Sequence, residues 1–120
     1  MNTNHVLITG GAGFIGTNLT SVLLEKGWKV TILDALIRQI HPAQTWTGPL
    51  EVSFLHGNVC NRNMVRESLK NVTHIVHLAA ETGVGQSAYE IARYLTTHDD
   101  GTALLLDDLT SVIGDIKRIV

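Results

Sequence analysis

Thr9-Gly10-Gly11-Ala12-Gly13-Phe14-Ile15-Gly16 is the stretch of this 120-residue chain that decides its fold. It directly follows the apolar run Val6-Leu7-Ile8 and leads into an amphipathic segment, residues 15–26. A strand, a glycine-rich turn and a helix in this order begin a dinucleotide-binding βαβ unit. In such a turn one glycine permits the tight bend, another lets the backbone reach a pyrophosphate, and the last lets helix and strand pack closely. The first turn of the helix then offers N–H groups and a positive dipole end to the phosphates.

An acidic residue at the end of the next apolar run supports this interpretation. The run Val30-Thr31-Ile32-Leu33 ends in Asp34, eighteen residues after Gly16. An acid at this separation accepts hydrogen bonds from the hydroxyls of the adenosine ribose. Alone, the glycine motif also fits a tight turn in any α/β protein, and Asp34 also fits a polar residue at a strand end. The two features together favour cofactor binding.

Size and composition indicate one domain with its own core and exclude several functional classes. With 44% apolar and 17% charged residues, the chain is not of the disordered class. A formal charge of -2 without a basic cluster argues against a nucleic-acid partner. No apolar stretch approaches membrane-spanning length, and no signal segment precedes the first predicted strand. The single cysteine, Cys60, suits a reducing cytosol.

Strand and helix signals alternate along the chain, which predicts a parallel sheet covered on both faces. Strands are predicted over residues 5–9, 29–33, 51–56 and 74–79, and helices over residues 15–26, 62–69 and 94–113. Residues 117–120 have the pattern of the opening of a fifth strand. We therefore predict an α/β fold with a Rossmann-type doubly wound parallel sheet, incomplete after the fourth strand. A bare edge on strand four would favour self-association or marginal stability.

Helical spacing predicts which side chains of the first and last helices are buried. The stripe of the first helix contains Ile15, Leu19, Val22 and Leu23, and that of the last helix contains Leu95, Thr102, Leu105, Leu106, Leu109 and Ile113. Asp99 occupies a position on the second stripe where an apolar residue is expected. The pairs Asp99-Asp100 and Asp107-Asp108 are otherwise interpreted as solvated helix charges.

The motifs together resemble the extended short-chain dehydrogenase/reductase family, and within it the NAD-dependent sugar-nucleotide epimerases and dehydratases. The resemblance rests on the glycine turn, Asp34, Gly57-Asn58-Val59, His77-Leu78-Ala79-Ala80 and Gly101-Thr102. It implies a Rossmann domain with NAD as cofactor across the carboxyl ends of the strands. By position, the cofactor-binding residues that it implies are Gly10, Gly13, Phe14, Ile15, Gly16, Asp34, Asn58, Val59, Leu78, Ala79, Ala80 and Thr97.

Some family features are altered or absent. Asn58 stands where the family has an Asp near the adenine, but its amide retains an acceptor. His98 stands where the family usually has Asn. The family's catalytic Tyr-x-x-x-Lys pair does not occur, because Tyr89 and Tyr94 are followed four residues later by Arg93 and His98.

These absences predict a chain that binds NAD without catalysing a reaction alone, so no catalytic residue is assigned. We expect residues 1–120 to be the N-terminal cofactor-binding part of an epimerase- or dehydratase-like protein, whose substrate domain is absent. The partners expected are the dinucleotide and, in an intact relative, a nucleotide-sugar. A non-catalytic nucleotide-binding module and a non-functional remnant are the alternatives. The scattered histidines predict no metal site: His74 and His77 are three apart on a strand and should point to opposite faces.

Overall fold

The computed structural model describes residues 4–37, 40–79, 101–109 and 116–120. The elements in these ranges are β1 (His5–Thr9), α1 (Phe14–Glu25), β2 (Lys29–Asp34), β3 (Ser53–His56), α2 (Arg62–Ser68), β4 (His74–His77), α3 (Gly101–Leu109) and β5 (Arg118–Ile119). All strand pairs are parallel, in the order β3-β2-β1-β4-β5. The predicted Rossmann-type α/β class is therefore confirmed, with the topological switch point between β1 and β4. Within the described part of the chain, no helix has the length and apolar character needed to cross a bilayer.

Side chains of the central strands alternate between two apolar layers. One face, built by Val6, Ile8, Val30, Ile32 and Val52, packs against the half-buried leucines of α1. The other face carries Leu7, Leu33 and Ile75 and packs against Val59, Val65, Leu69, Val72, Leu105 and Leu109. Because both faces are covered, the central strands are apolar almost throughout.

The stripe of α1 that faces the sheet differs from the predicted one in two of its four residues. The two leucines are half-buried as predicted, but Ile15 and Val22 are 64% and 49% exposed. Gly16 is buried instead, because α1 starts in close contact with the glycine turn. A Cβ on Gly16 would lie 2.5 Å from the backbone of Gly11. This contact turns Gly16 inward and leaves Ile15 facing outward.

An acidic residue of α3 that was predicted to be solvated is buried. Asp108 is only 4% exposed, and its Oδ1 accepts hydrogen bonds from Arg62 Nη2 at 3.2 Å and Arg66 Nε at 3.1 Å. The interpretation of Asp108 as a solvated charge is therefore wrong. These ion pairs join α2 to α3 and offset the desolvation of the carboxylate. Leu106, expected on the buried stripe, is 51% exposed.

The edge of β4 that was expected to be bare is covered by the last residues of the chain. The Val120 N–H donates to the Ile75 oxygen at 2.8 Å, and the His77 N–H donates to the Val120 oxygen at 2.8 Å. The prediction of an unpaired β4 edge is wrong, because even a two-residue β5 continues the ladder. On this side of the sheet the outer strand is β5, in which Ile119 is 46% exposed. Self-association stays a prediction, without the bare β4 edge from which it was drawn.

Candidate dinucleotide site

A cavity of about 370 Å³ opens at the carboxyl ends of the strands, where ligands of doubly wound sheets bind. Ten of the twelve residues predicted to bind the cofactor line this cavity: Gly10, Gly13, Phe14, Ile15, Gly16, Asp34, Asn58, Val59, Leu78 and Ala79. The other two, Ala80 and Thr97, lie outside the described residues, as do His98 and Asp99. The structure therefore brings together residues from four separate segments of the sequence.

Position 10 requires a glycine, both for its backbone conformation and because neighbouring atoms leave no room for a side chain. Its φ of +66° lies in the left-handed region that favours glycine, and a Cβ there would lie 2.8 Å from the Ala79 backbone nitrogen. The Gly10 N–H donates to the Leu33 oxygen at 2.8 Å. The turn is thereby attached to the end of β2 and in contact with the segment after β4.

Gly13 lines the same cavity, but the fold does not require a glycine there. Its φ of -76° is open to any residue, and the nearest protein atom to an added Cβ is the Gly10 oxygen, at an ordinary 3.4 Å. Gly13 is also the N-cap of α1 and provides no side-chain cap. The first-turn N–H groups of α1 are thus left without a side-chain acceptor, beside open space in the cavity.

Asp34 presents a carboxylate that is held in place by two backbone N–H groups. The Ala12 N–H donates to Oδ2 at 3.0 Å, and the Leu36 N–H donates to Oδ1 at 2.8 Å. Leu36 is buried and has a φ of +49°, a conformation that residues with a side chain rarely adopt. Each carboxylate oxygen retains acceptor capacity, so the fixed carboxylate can accept further hydrogen bonds from hydroxyl groups of a ligand.

Asn58 and Val59 form the part of the wall that precedes α2. The Asn58 Oδ1 accepts the Cys60 N–H at 2.8 Å, a turn bond that an aspartate could make as well. This bond explains how the loop keeps its form with an amide at this position. Val59 is 5% exposed and packs against α3: a Cβ on Gly101 would lie 2.6 Å from Val59 Cγ2.

Several lining residues were missed by the sequence reasoning. They are Leu33, Ala35, Ile37, Ile40, His41 and Gly57. Most belong to the irregular connection after β2, which has no periodic pattern to indicate burial. Their location in the sequence could have indicated them, because each follows or stands at the carboxyl end of β2 or β3. The ligand-binding crevice of a doubly wound sheet opens at these strand ends. With the exposed Phe14 (85%), they make the rim and one wall largely apolar.

A group of hydrogen-bonded polar side chains lies beside the cavity floor. His77 Nδ1 is 2.6 Å from Thr9 Oγ1, and His77 Nε2 is 2.9 Å from Thr102 Oγ1. Thr9 Oγ1 also accepts the Ala79 N–H at 3.2 Å. Burial lowers the pKa of His77, which favours a neutral ring near pH 7.

The two histidines of β4 lie on opposite faces of the sheet, as predicted. His77 contacts α3 through Thr102, whereas His74 meets the ring of Trp28 edge-on, with centroids 4.7 Å apart. Across the described ranges, no group of three or more His, Cys, Asp or Glu side chains is placed to hold a metal ion.

Known proteins are similar to this chain in fold and in sequence. The UDP-glucose 4-epimerase of Yersinia enterocolitica is 28% identical over an alignment of 120 residues, which covers 96% of this chain and 35% of that protein. The UDP-glucose 4-epimerase of Thermus thermophilus, solved in complex with NAD, matches with a TM-score of 0.79 at 28% identity, over 95% of this chain and 36% of its own. DesIV, a dTDP-glucose 4,6-dehydratase of Streptomyces venezuelae solved with NAD and TYD bound, gives a TM-score of 0.80 at 28% identity, over 96% and 38%.

The chain spans about a third of the length of each of these three proteins. A sequence profile of the NAD dependent epimerase/dehydratase family matches residues 6–120. This match covers nearly the whole chain and includes every motif from which the cavity is built. The chain belongs to the NAD-dependent epimerase/dehydratase family.

Proposed function

We propose that the chain binds NAD in the cavity at the carboxyl ends of its strands and forms the cofactor-binding part of a sugar-nucleotide epimerase or dehydratase. The observation that carries this proposal is the open space at Gly13. A Cβ there meets no protein atom closer than 3.4 Å, so the fold alone gives no reason for a glycine. Close approach of a pyrophosphate to the backbone of the helix start does give one.

The other lining residues fit the remaining parts of NAD. Asp34, fixed by two backbone bonds, would accept hydrogen bonds from the adenosine ribose. The apolar wall around Val59 and Ile37 suits the adenine ring, and the Leu78-Ala79 segment leaves room for the nicotinamide half. When bound, NAD supplies the transient oxidation of a sugar hydroxyl. The residues described here bind and orient it.

The substrate that we propose for the whole protein is a nucleotide-linked sugar. The relatives are named for UDP-glucose and dTDP-glucose. The 120 residues contain no Tyr-x-x-x-Lys pair to move a substrate proton, so we expect no turnover by this chain alone. Product formation by a clean preparation, measured by mass spectrometry, would contradict that expectation. The single cysteine, Cys60, is compatible with a reducing compartment such as the cytoplasm.

Calorimetric titration of the purified chain with NAD and with NADP tests the proposal. We expect one NAD site and a preference over NADP of about tenfold or more, because the Asp34 carboxylate repels a 2′-phosphate. A folded chain that binds neither dinucleotide would overturn the proposal and favour a remnant without function. Equal affinity for both would leave NAD binding intact but remove the role given to Asp34.

A further inference from the structure

A line of hydrogen bonds runs under the cavity and connects three secondary-structure elements. It passes from the Ala79 N–H to Thr9 Oγ1 (3.2 Å), from Thr9 Oγ1 to His77 Nδ1 (2.6 Å) and from His77 Nε2 to Thr102 Oγ1 (2.9 Å). Thr9 ends β1, His77 ends β4 and Thr102 belongs to α3. We name these side chains, Thr9, His77 and Thr102, the Thr9 relay.

The relay satisfies both nitrogens of the histidine ring when the ring is neutral. In the neutral tautomer that carries its proton on Nε2, Nδ1 accepts from the Thr9 hydroxyl and Nε2–H donates to Thr102 Oγ1. Because the Thr9 hydroxyl donates its proton to the ring, its oxygen is free to accept the Ala79 N–H. Thr9 is completely buried, so water cannot replace a bond that is lost there.

The relay ends at a piece of backbone that forms part of the cavity floor. Ala79 lines the cavity, and its backbone nitrogen is the atom nearest to an added Cβ on Gly10, at 2.8 Å. A shift of Ala79 would therefore press on Gly10 and the phosphate turn or withdraw from them. His77 does not line the cavity, so any effect that it has on a ligand must be indirect.

We propose that His77 is a positioning residue for NAD binding that acts through Thr9 on the backbone of Ala79. The proposal rests on the proposed function, because it assigns His77 a part in the same site. The decisive bond is the one from Nδ1 to Thr9, since it leads to Ala79. The bond from Nε2 to Thr102 anchors the other side of the ring to α3.

Two amide substitutions separate the two ends of the ring. In His77→Asn the side-chain oxygen reaches about the position of Nδ1, whereas in His77→Gln the amide reaches about the position of Nε2. By calorimetry on the full chain we expect the Asn variant to keep NAD affinity within about twofold and the Gln variant to lose about tenfold. Thr9→Val, which removes the hydroxyl at nearly constant volume, should also lose about tenfold.

The sheet offers a matched control at its other end. Thr31 Oγ1 lies 2.7 Å from His5 Nε2, and neither residue lines the cavity, so Thr31→Val removes the same kind of bond outside the proposed site. This variant should bind NAD like the unaltered chain, even where its stability falls. The proposal is overturned if Thr31→Val weakens NAD binding as much as Thr9→Val does, or if the Gln variant binds as tightly as the Asn variant.

A second measurement tests, without any ligand, whether the Thr9 relay holds the backbone of Ala79 in place. Amide hydrogen exchange at Ala79, followed by NMR, should accelerate in Thr9→Val and His77→Gln but not in His77→Asn or Thr31→Val. Equal exchange in all four variants would overturn the proposal whether or not NAD binds. If the unaltered chain binds no NAD, the proposed function fails, and the exchange rates alone then decide whether the relay holds Ala79.

Discussion

The two ends of the sheet each have a hydrogen-bonded pair of histidine and threonine, yet among the described residues only the carboxyl end adjoins a cavity lined by motif residues. At the amino end His5 Nε2 lies 2.7 Å from Thr31 Oγ1, and at the carboxyl end His77 Nδ1 lies 2.6 Å from Thr9 Oγ1. Backbone bonds cross the amino end, for example from the Lys29 N–H to the Asn4 oxygen at 2.9 Å. At the carboxyl end a glycine turn and an uncapped helix start stand beside the cavity.

This difference shows which residues form the cavity in this fold. Side chains link neighbouring strands at both ends, through a buried threonine and a half-buried histidine in each case. The cavity at the carboxyl end is formed by residues that connect strands to helices, above all by glycines. The physical reason for a glycine differs among Gly10, Gly13 and Gly16. Changes at these glycines should therefore have larger effects than changes in the cross-links.

Gly16→Ala should have the largest effect, because it forces the helix away from the turn at the carboxyl end of the sheet. Its Cβ would lie 2.5 Å from the Gly11 backbone, which cannot yield as a side chain could. We expect the free energy of unfolding, measured by urea denaturation, to fall by about 3 kcal/mol. Gly27→Ala is the control: its φ is +82° but no atom lies near, so only about 1–2 kcal/mol should be lost. Native-like stability of the Gly16 variant would contradict the close-packing argument.

Gly13→Val should separate binding from folding at the same end. The added side chain fills the space in front of the helix start, so NAD affinity should fall by about a hundredfold or more, roughly 2.7 kcal/mol. The circular dichroism spectrum should stay near native, and the loss of a favourable N-cap should cost about 1 kcal/mol or less. Retention of NAD binding in calorimetry would show that no phosphate approaches Gly13.

Asp34→Asn should change the choice between the two dinucleotides more than the overall affinity. Removing the negative charge removes repulsion of the 2′-phosphate. One of the two backbone bonds to this side chain is lost as well, because the amide nitrogen cannot accept, whereas the remaining oxygen can still accept a hydrogen bond. The NAD-to-NADP affinity ratio should shrink by about tenfold in competitive titrations. A ratio identical to that of the unaltered chain would place the discrimination elsewhere in the wall.

Acidification should have the smallest effect on the free energy of unfolding, and it should act through histidines at both ends of the sheet. Burial lowers the pKa of His5, His74 and His77, and nearby Lys or Arg charges add to this for His5 and His74. Because the unfolded chain takes up these protons first, near pH 6.5, stability is complete above that pH. It should be lost as the pH falls from about 6.5 through the lowered folded-state pKa values. Urea midpoints that do not change between about pH 7.5 and 5.5 would contradict this expectation.

Features that depend on residues close together in the sequence were predictable from it. β1 has the predicted bounds, and Gly27 ends α1 in a left-handed conformation as expected of a C-terminal glycine. The ten described site residues could be named because the resemblance assigned them by position. Their meeting in one cavity follows from the parallel topology, which brings the ends of successive strands to one edge.

Features that depend on distant partners were not predictable in the same way. The burial of Asp108 depends on Arg62, which is 46 residues away, and a charged residue on a helix is usually solvated. Likewise, the inward turn of Gly16 depends on the backbone of Gly11, which no pattern of apolar residues records. Helical periodicity predicts which face of a helix is apolar on average. The burial of Asp108 and of Gly16 instead depends on individual contacts with residues elsewhere in the fold.

The central position of β1 has a consequence for synthesis on the ribosome. β1 is made before both of its neighbours, which are β2, starting at Lys29, and β4, starting at His74. Both edges of β1 can therefore be paired only after His77 has been made. Because the cavity needs Leu78 and Ala79, it cannot exist in any shorter nascent chain. NAD can thus begin to stabilise this fold only after Leu78 and Ala79 have been made, and the earlier apolar strands depend on their own pairing or on chaperones until then.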